Sequence, residues 1–474
     1  MALNLTIRNL TPIPLHLTSA SRFAAEKISR GGTFSNARGV FVSFFNATEF
    51  PTKELRPAGD ALSSTPTSHV IDPFETLETD VPAPELRKEV VRLTFEAQGL
   101  RYETDAPGPL NRSTTMTKLV GEGEDLTTVY IPAHSFLAVL SSTHLPSWMS
   151  PLHDDLALSS LSIPGTHNSP TCYFALPSVR CQVATVRSQL DNGVRFLDVR
   201  VSAESGTDRM PLVHSAFPVS LAGTRYFHEF LAECYAFLDE NPSECLVVSV
   251  KREGTGRASD KRMSRYLQDG YIARDPERWF TASHVPRLRE VRGKIVLVRR
   301  FTADPRVKTE NGGEFGIDAE TWPDNCADGT TCGPAGGQVR VQDFYEIDQS
   351  TNIERKISFS RAHLERAAGE SHPRCGYDAG EAPPFFVNFL SASNFFNATC
   401  WPERIAARVN PAIVEYLCMR HGVEGKGEEG LGVGDGATGI VVTDWVGAHG
   451  DWDLIRCVVG MNARLLVEQR RGEL

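Results

Sequence analysis

The sequence predicts an α/β protein: a (β/α)8, TIM-barrel-like domain preceded by an all-β, sandwich-like domain. Three observations predict it. From Leu158 onward, eight short apolar runs each end in a reactive polar residue. Helix-like segments separate most of those runs, which is the alternation of a parallel barrel. Before residue 146 the grammar is different, with β-branched stretches divided by Pro, Gly, Ser and Thr and no 3.6-residue periodicity.

Residues 1–145 contain NLTIRNLTPIPLHLTS, ARGVFVSFFNAT, VVRLTFEAQGLRYET and LTTVYIPAHSFLAVLSS. These runs alternate or cluster apolar and β-branched residues, as strands of an antiparallel sandwich do. No cluster of His, Cys or carboxylates stands out there, so the region reads as a binding or packing module. HLPSWMSPLHDD, with Pro146 and Pro151, reads as a linker into the second domain, residues 146–474.

In the second domain the runs are LSSLSIPGTH (His167), VRFLDVR (Asp198, Arg200), MPLVH (His214) and CLVVSVKRE (Lys251, Glu253). KIVLVRR (Arg300), VRVQDFY (Asp343, Tyr345), FFVNFLSAS (Asn388, Ser391) and GIVVTDW (Asp444) follow. Runs of four to eight Val, Ile and Leu are expected as strands buried on both faces. In a barrel, residues at the C-terminal strand ends build the active site. One such histidine or cation alone would be a structural or snorkelling side chain. Charges of both signs converging on one mouth are costly unless paired or used. The clearest helix is expected from Thr224 to Glu240, where Phe227, Phe230, Leu231, Cys234, Phe237 and Leu238 form one stripe. Asn241 and Pro242 end it. Loops 308–338 and 370–383, rich in Gly, Pro and Asp, are expected to rim the mouth.

Composition removes several function classes. Of the 474 residues, 41% are hydrophobic and 23% charged, as in a soluble globular protein. The net charge of −10 argues against a nucleic-acid partner. No apolar stretch approaches the roughly 20 residues of a membrane span. The N-terminus lacks the pattern of a secretory signal, so a cytoplasmic or peripheral-membrane location is expected, with secretion by another route left open. The ten cysteines match no zinc spacing. Cys326 and Cys332 flank a Gly/Asp/Thr loop and would pair in an oxidising compartment. Asn46 and Asn397 head glycosylation-type triplets, a pattern common by chance.

Seven of these segments, in order, resemble the phosphatidylinositol-specific phospholipase C family, in its bacterial, metal-independent branch. SIPGTHNS corresponds to the family's first catalytic-histidine motif, RFLDVR to the second, and PLVHS supplies the second histidine. NPSECLVVSVKRE, GKIVLVRRF, WPDN with VQDFY, and IVVTDW follow in family order. The resemblance covers about residues 146–474.

It implies that His167 takes a proton from the inositol 2-hydroxyl while that oxygen attacks phosphorus. Asp444 would hold the His167 ring, His214 would protonate the leaving diacylglycerol oxygen, and Arg200 would clamp the phosphate oxygens. Asp198, Lys251, Glu253, Arg300, Asp343 and Tyr345 would surround the inositol. The implied products are diacylglycerol and a cyclic inositol phosphate, which the same groups would open with water. No cofactor is implied, a monomer is expected, and the implied partners are a phosphatidylinositol-type lipid and, transiently, a membrane surface. SASNFFNATCW, with Phe395, Phe396 and Trp401, is the candidate docking segment, and the N-terminal domain is the other.

Asn168 departs from the bacterial pattern, which usually has Asp after the first histidine. The calcium-dependent branch also has Asn there, as a metal ligand. Arg200 and Lys251 occupy positions where that branch needs carboxylates, so Asn168 is read as a neutral hydrogen-bonding group and metal ligands are read as none. Competing readings are a glycerophosphodiesterase- or sphingomyelinase D-like enzyme, a lipid-binding scaffold with an inert barrel, and the same chemistry on a glycosylphosphatidylinositol anchor.

Overall fold

A computed structural model describes residues 3–29, 53–109, 113–142, 144–331, 339–370, 383–423, 425 and 436–472. Asn46, Cys332 and most of the expected 370–383 loop lie outside the described residues.

Among the described residues the N-terminal region forms ten strands: β1 (Asn4–Leu10), β2 (Leu15–Ser29), β3 (Lys53–Ile71), β4 (Thr76–Pro82), β5 (Glu89–Ala97), β6 (Leu100–Ala106), β7 (Thr114–Thr115), β8 (Thr117–Val120), β9 (Asp125–Ile131) and β10 (Phe136–Ser142). They make two five-stranded sheets, ordered β4-β1-β10-β9-β7 and β3-β2-β5-β6-β8. Pairing is antiparallel except between β1 and β10, which run parallel. Leu5, Ile7, Leu137 and Val139 of the first sheet share one apolar cluster with Leu17, Leu93 and Phe95 of the second.

Side chains alternate across a pleated strand, so the other residues of the first sheet face away from that cluster. Leu10, Phe136, Ala138 and Leu140 pack instead with Ile405, Val409 and Ile413 of the helix Pro402–Met419 and with Leu454 of the helix Asp453–Gly460. Arg8 caps the contact by donating to the carbonyls of Cys418 (3.0 Å) and His421 (2.7 Å). A sheet covered on both faces explains why its strands read as apolar clusters rather than strict alternation.

The second region is built on parallel strands β11 (Ile163–Thr166), β12 (Phe196–Val201), β15 (Leu246–Arg252), β17 (Ile295–Arg300), β20 (Val339–Gln342), β21 (Phe385–Phe389) and β22 (Ile440–Thr443), with the two-residue strands β13 (Val213–His214), β14 (Phe217–Pro218), β16 (Trp279–Phe280), β18 (Ile317–Asp318) and β19 (Gly329–Thr330) between them in the chain. Their order is β17-β15-β12-β11-β22-β21-β20, and two-residue strands at Trp279–Phe280 and Ile317–Asp318 extend the β17 edge. Among the described residues no ladder joins that edge to β20. A further two-residue strand, Gly329–Thr330, pairs antiparallel with β20.

The third expected run is corrected. MPLVH is not a barrel strand: Val213–His214 pairs antiparallel with Phe217–Pro218 in a hairpin outside the main sheet. Pro211 brings no N–H to a ladder, and Ser215 takes φ 52°, which turns the chain back immediately. The expected helix is present over Phe227–Glu240 and buries its whole predicted stripe.

Candidate active site

Strand register sets the charges in layers. Arg200 pairs with Lys251, and Lys251 with Arg300, so three adjacent strands present three cations at one level. One layer below, Asp198 is level with Ser249 and Val298. Paired residues of neighbouring strands share a face, so these layers point to the same side of the sheet.

Asp198 is fully buried and organises the cations. One of its oxygens accepts from Arg200 Nε (3.2 Å) and from the Asn168 amide (3.0 Å), and the other from Arg300 (3.5 Å). Burial opposes its charge, but Arg200, Arg300, the Asn168 amide and Lys251 together outweigh burial and hold its pKa below the usual carboxylate range. Glu253 bridges Arg200 (3.0 Å) and Lys251 (3.0 Å) and accepts from the Ser215 amide at 2.8 Å. Against the cost of burial, Arg200 and then Lys251 bring its pKa down to about 2. It is thus a fixed anion linking the cation layer to the hairpin that carries His214.

His167 follows β11, and its Nδ1 meets Asp444 Oδ1 at 2.9 Å, directly after β22. Gln182 Nε2 locks the joint by donating to the carbonyls of His167 (2.8 Å) and Thr443 (2.9 Å). With Nδ1–H donated to the carboxylate, Nε2 is the ring nitrogen left for chemistry. Burial, then Arg200 and His214, push the His167 pKa well below its ordinary value, so the resting ring is neutral. Burial raises the pKa of Asp444. The second imidazole, His214, stands 5.6 Å from His167 between ring centroids, at 82°. His214 Nδ1 donates to the Val179 carbonyl at 2.7 Å, which again leaves Nε2. Burial, then Arg200, also lower its pKa.

Asn168 is fully buried with φ 40°, a backbone region that Asn tolerates. Its Nδ2 donates to the Val213 carbonyl (3.3 Å), while its Oδ1 has no partner among the described residues. Arg300 stacks 3.7 Å over the Trp322 ring and lies 3.9 Å from Asp343, and Trp322 Nε1 donates to Asp343 at 2.8 Å. Tyr345 is tied to Asp324 through its hydroxyl (2.9 Å). Asn388 does not join the mouth. It faces the helix Ile353–Glu370, accepting from Gln342 (2.8 Å) and donating to the Ser360 carbonyl (2.8 Å).

Four nearby residues carry no assignment in the sequence reading: Trp322, Gln182, Cys181 and Lys356. Trp322 sits in the quoted WPDN segment, and that segment's place in the family order is the one signal that marks it. Lys356 is fully buried, donating to Gln342 (3.1 Å) and the Phe344 carbonyl (2.7 Å), and burial lowers its pKa to about 7.

The site thus brings together two imidazoles at right angles, one of them backed by a carboxylate, with the Arg200 guanidinium held by Asp198 and Glu253. A match to the family described as "Phosphatidylinositol-specific phospholipase C, X domain" covers residues 155–301. A 1-phosphatidylinositol phosphodiesterase of Listeria monocytogenes is 30% identical over 290 residues, spanning 59% of this chain and 77% of the relative. A Staphylococcus aureus protein of the same name is 27% identical over 287 residues, spanning 57% of this chain and 83% of the relative. The chain belongs to the phosphatidylinositol-specific phospholipase C X-domain family. Its fold is also that of solved Staphylococcus aureus phosphatidylinositol-specific phospholipases C. One mutant form has a TM-score of 0.52 at 22% identity, covering 67% of this chain and 98% of that one. Another, from work on modulation of membrane binding, has a TM-score of 0.53 at 21% identity, covering 67% and 97%.

Proposed function

We propose that the chain cleaves phosphatidylinositol-type lipids to diacylglycerol and a cyclic inositol phosphate. The observation that carries this reading is the His167–Asp444 pair facing His214 across Arg200. In this reading His167 Nε2 takes the inositol 2-hydroxyl proton as that oxygen bonds to phosphorus. The phosphorus–oxygen bond to diacylglycerol breaks, and His214 Nε2–H protonates the departing oxygen. The nucleophile belongs to the substrate, so little entropy is lost in bringing it to phosphorus. Burial and Arg200 disfavour a charged His214 in the free site. The phosphodiester anion supplies the counter-charge that makes it an acid.

Arg200, fixed by Asp198 and Glu253, stabilises the charge growing on the non-bridging oxygens. Lys251, the most open cation of the layer with a third of its side chain exposed, and Arg300 with Asp343 are assigned to the inositol hydroxyls. Tyr345 is assigned to the ring face. Asp198 and Glu253 act through the cations they hold.

Docking is assigned to an aromatic rim. Phe217 of the His214 hairpin stacks on Phe395 (5.3 Å), and Phe395 contacts Phe396 (5.2 Å), whose ring is 94% exposed. Residues 1–145 are assigned the role of a packing module braced on the barrel helices.

The test is release of inositol phosphate from phosphatidylinositol vesicles in excess chelator, with His167→Ala as the control. Full activity in chelator supports the reading. Loss restored by calcium would instead favour metal-dependent chemistry. Equal turnover in the control would refute the proton-transfer assignment.

A further inference from the structure

We propose that Cys181, His214 and His167 form a binding site for a thiophilic divalent cation of the zinc class, and that its occupation shuts off catalysis. The inference rests on the reading of the two histidines as the proton-transfer pair, and it gives that pair a regulator. Cys181 has no part in the proposed phosphodiester chemistry, yet it is buried against the site, and its thiol lies 3.6 Å from His214 Nδ1. The ligand atoms of His167, Cys181 and His214 all lie within 4.8 Å of one another.

A zinc ion with a sulfur at about 2.3 Å and a nitrogen at about 2.0 Å in tetrahedral array separates those two atoms by roughly 3.5 Å. The Cys181–His214 spacing therefore already fits, and His167, with a ligand atom within 4.8 Å of both, is the third ligand. His214 Nδ1 and Cys181 Sγ both point at the Val179 carbonyl, at 2.7 and 3.4 Å, so an oxygen donor stands at the same place. On binding, the Cys181 thiol loses its proton to solvent, and the His214 ring moves its hydrogen to Nε2 so that Nδ1 faces the metal. His167 would bind through Nε2, because its Nδ1 is held by Asp444 at 2.9 Å. That is the carboxylate–histidine–metal arrangement which fixes a ring for coordination.

The charge around the three residues also permits a cation. Asp198, Glu253, Asp343 and Asp444 lie among Arg200, Lys251, Arg300 and Lys356, four carboxylates and four basic groups, of which Lys356 has its pKa lowered by burial to about 7. The donor set of two imidazoles and a thiolate selects against calcium and magnesium, which need oxygen ligands. A metal held there occupies Nε2 of His167 and removes the base from the reaction.

The experiment uses the full chain, stripped with chelator and then dialysed against zinc chloride. In parallel, turnover on phosphatidylinositol vesicles is titrated with zinc, calcium and magnesium. Wild type is expected to hold one zinc equivalent that Cys181→Ala and Cys181→Ser bind at least about tenfold more weakly. Both variants should keep basal turnover and need at least about tenfold more zinc for half-inhibition, while calcium and magnesium should not inhibit wild type. A thiolate-to-cadmium charge-transfer band present in wild type and absent in both variants would place the metal on Cys181. Zinc binding and inhibition unchanged in both variants would overturn the proposal, as would a wild type that binds no zinc. If wild type cleaves no phosphatidylinositol in chelator, the functional reading fails while the dialysis and cadmium arms still decide the metal site.

Discussion

Strand β12 has an arginine toward each end, Arg195 fully buried and Arg200 partly exposed, and the two are used in opposite ways. Arg195, just before the strand, and its partner Glu244 are both fully buried at 2.9 Å. Every nitrogen of Arg195 is satisfied. Nε meets Glu244, NH1 donates to the carbonyls of Leu190 and Val194 (2.9 Å each), and NH2 donates to those of Leu145 (3.0 Å) and Pro146 (2.8 Å). Glu244 in turn accepts from the Met149 amide (3.1 Å), so the pair ties the 145–149 linker to the floor of the barrel. Arg200, five residues on, sits in a cluster where Asn168 Oδ1, Ser249 Oγ and Arg300 Nε have no partner among the described residues. A closed network stabilises a fold; an open one keeps capacity for a ligand. The charges are alike, and satisfaction separates structure from function.

The largest effect that would test this contrast is loss of proton transfer at the upper end. His167→Ala and His214→Ala should each lower kcat by about 10²–10⁴-fold, with melting temperatures near wild type. At the lower end, Arg195→Met should do the reverse. Leaving Glu244 buried and unpaired costs about 3–5 kcal/mol, read as a lower denaturation midpoint, while turnover per folded molecule stays close to wild type. A catalytic loss in Arg195→Met without a stability loss would break the distinction.

Arg200 provides a finer test, because it is the residue proposed to hold the phosphate and it lowers the pKa of both imidazoles. Arg200→Met should lower kcat by about 10²–10³-fold, the scale of removing one oxyanion donor. The pH profile gives the sign. In wild type, burial, then Arg200 and His214, depress the His167 pKa. The acid limb of kcat/KM should therefore fall below the ordinary imidazole value of about 6.5. Removing the cation lets His167 hold its proton to higher pH, so the limb should move up. A limb that stays in place or moves down would mean that His167 is not the titrating base.

The same contrast accounts for what the sequence reveals. Arg200, Lys251, Arg300, Asp343 and Asp444 lie at or just beyond the ends of apolar strands and Asp198 lies inside β12, and long Val/Ile/Leu runs mark such positions without any tertiary knowledge. His214 is legible as a motif but not as a place. Only Val213 and His214 of its run enter a ladder, Pro211 and Leu212 make isolated bridges, and the φ of Ser215 closes a hairpin that an apolar pattern cannot separate from a strand. Trp322 and Cys181 are hidden for a different reason. They come from loops whose course is set by packing, and no period records it. The β1–β10 parallel pair is likewise illegible, since it joins residues more than a hundred positions apart.

The smallest expected effect belongs to the rim, where a side chain is neither satisfied within the fold nor aimed at the ligand. Phe396 is 94% exposed, so Phe396→Ser removes almost no internal packing and the melting temperature should not change. In water its ring remains hydrated. Partly buried in a lipid interface, such a side chain yields a fraction of the roughly 1.5–3 kcal/mol available from full burial. Vesicle affinity should therefore fall about threefold to tenfold. Turnover on a water-soluble inositol phosphodiester should be unchanged, because the ring contacts of Phe396 lead to the His214 hairpin through Phe395 and Phe217. Phe395→Ser should cost more, since Phe395 also stacks on the hairpin that positions His214, and some of its loss should appear on soluble substrate. Equal vesicle affinity in wild type and both variants would move the docking surface elsewhere on the chain.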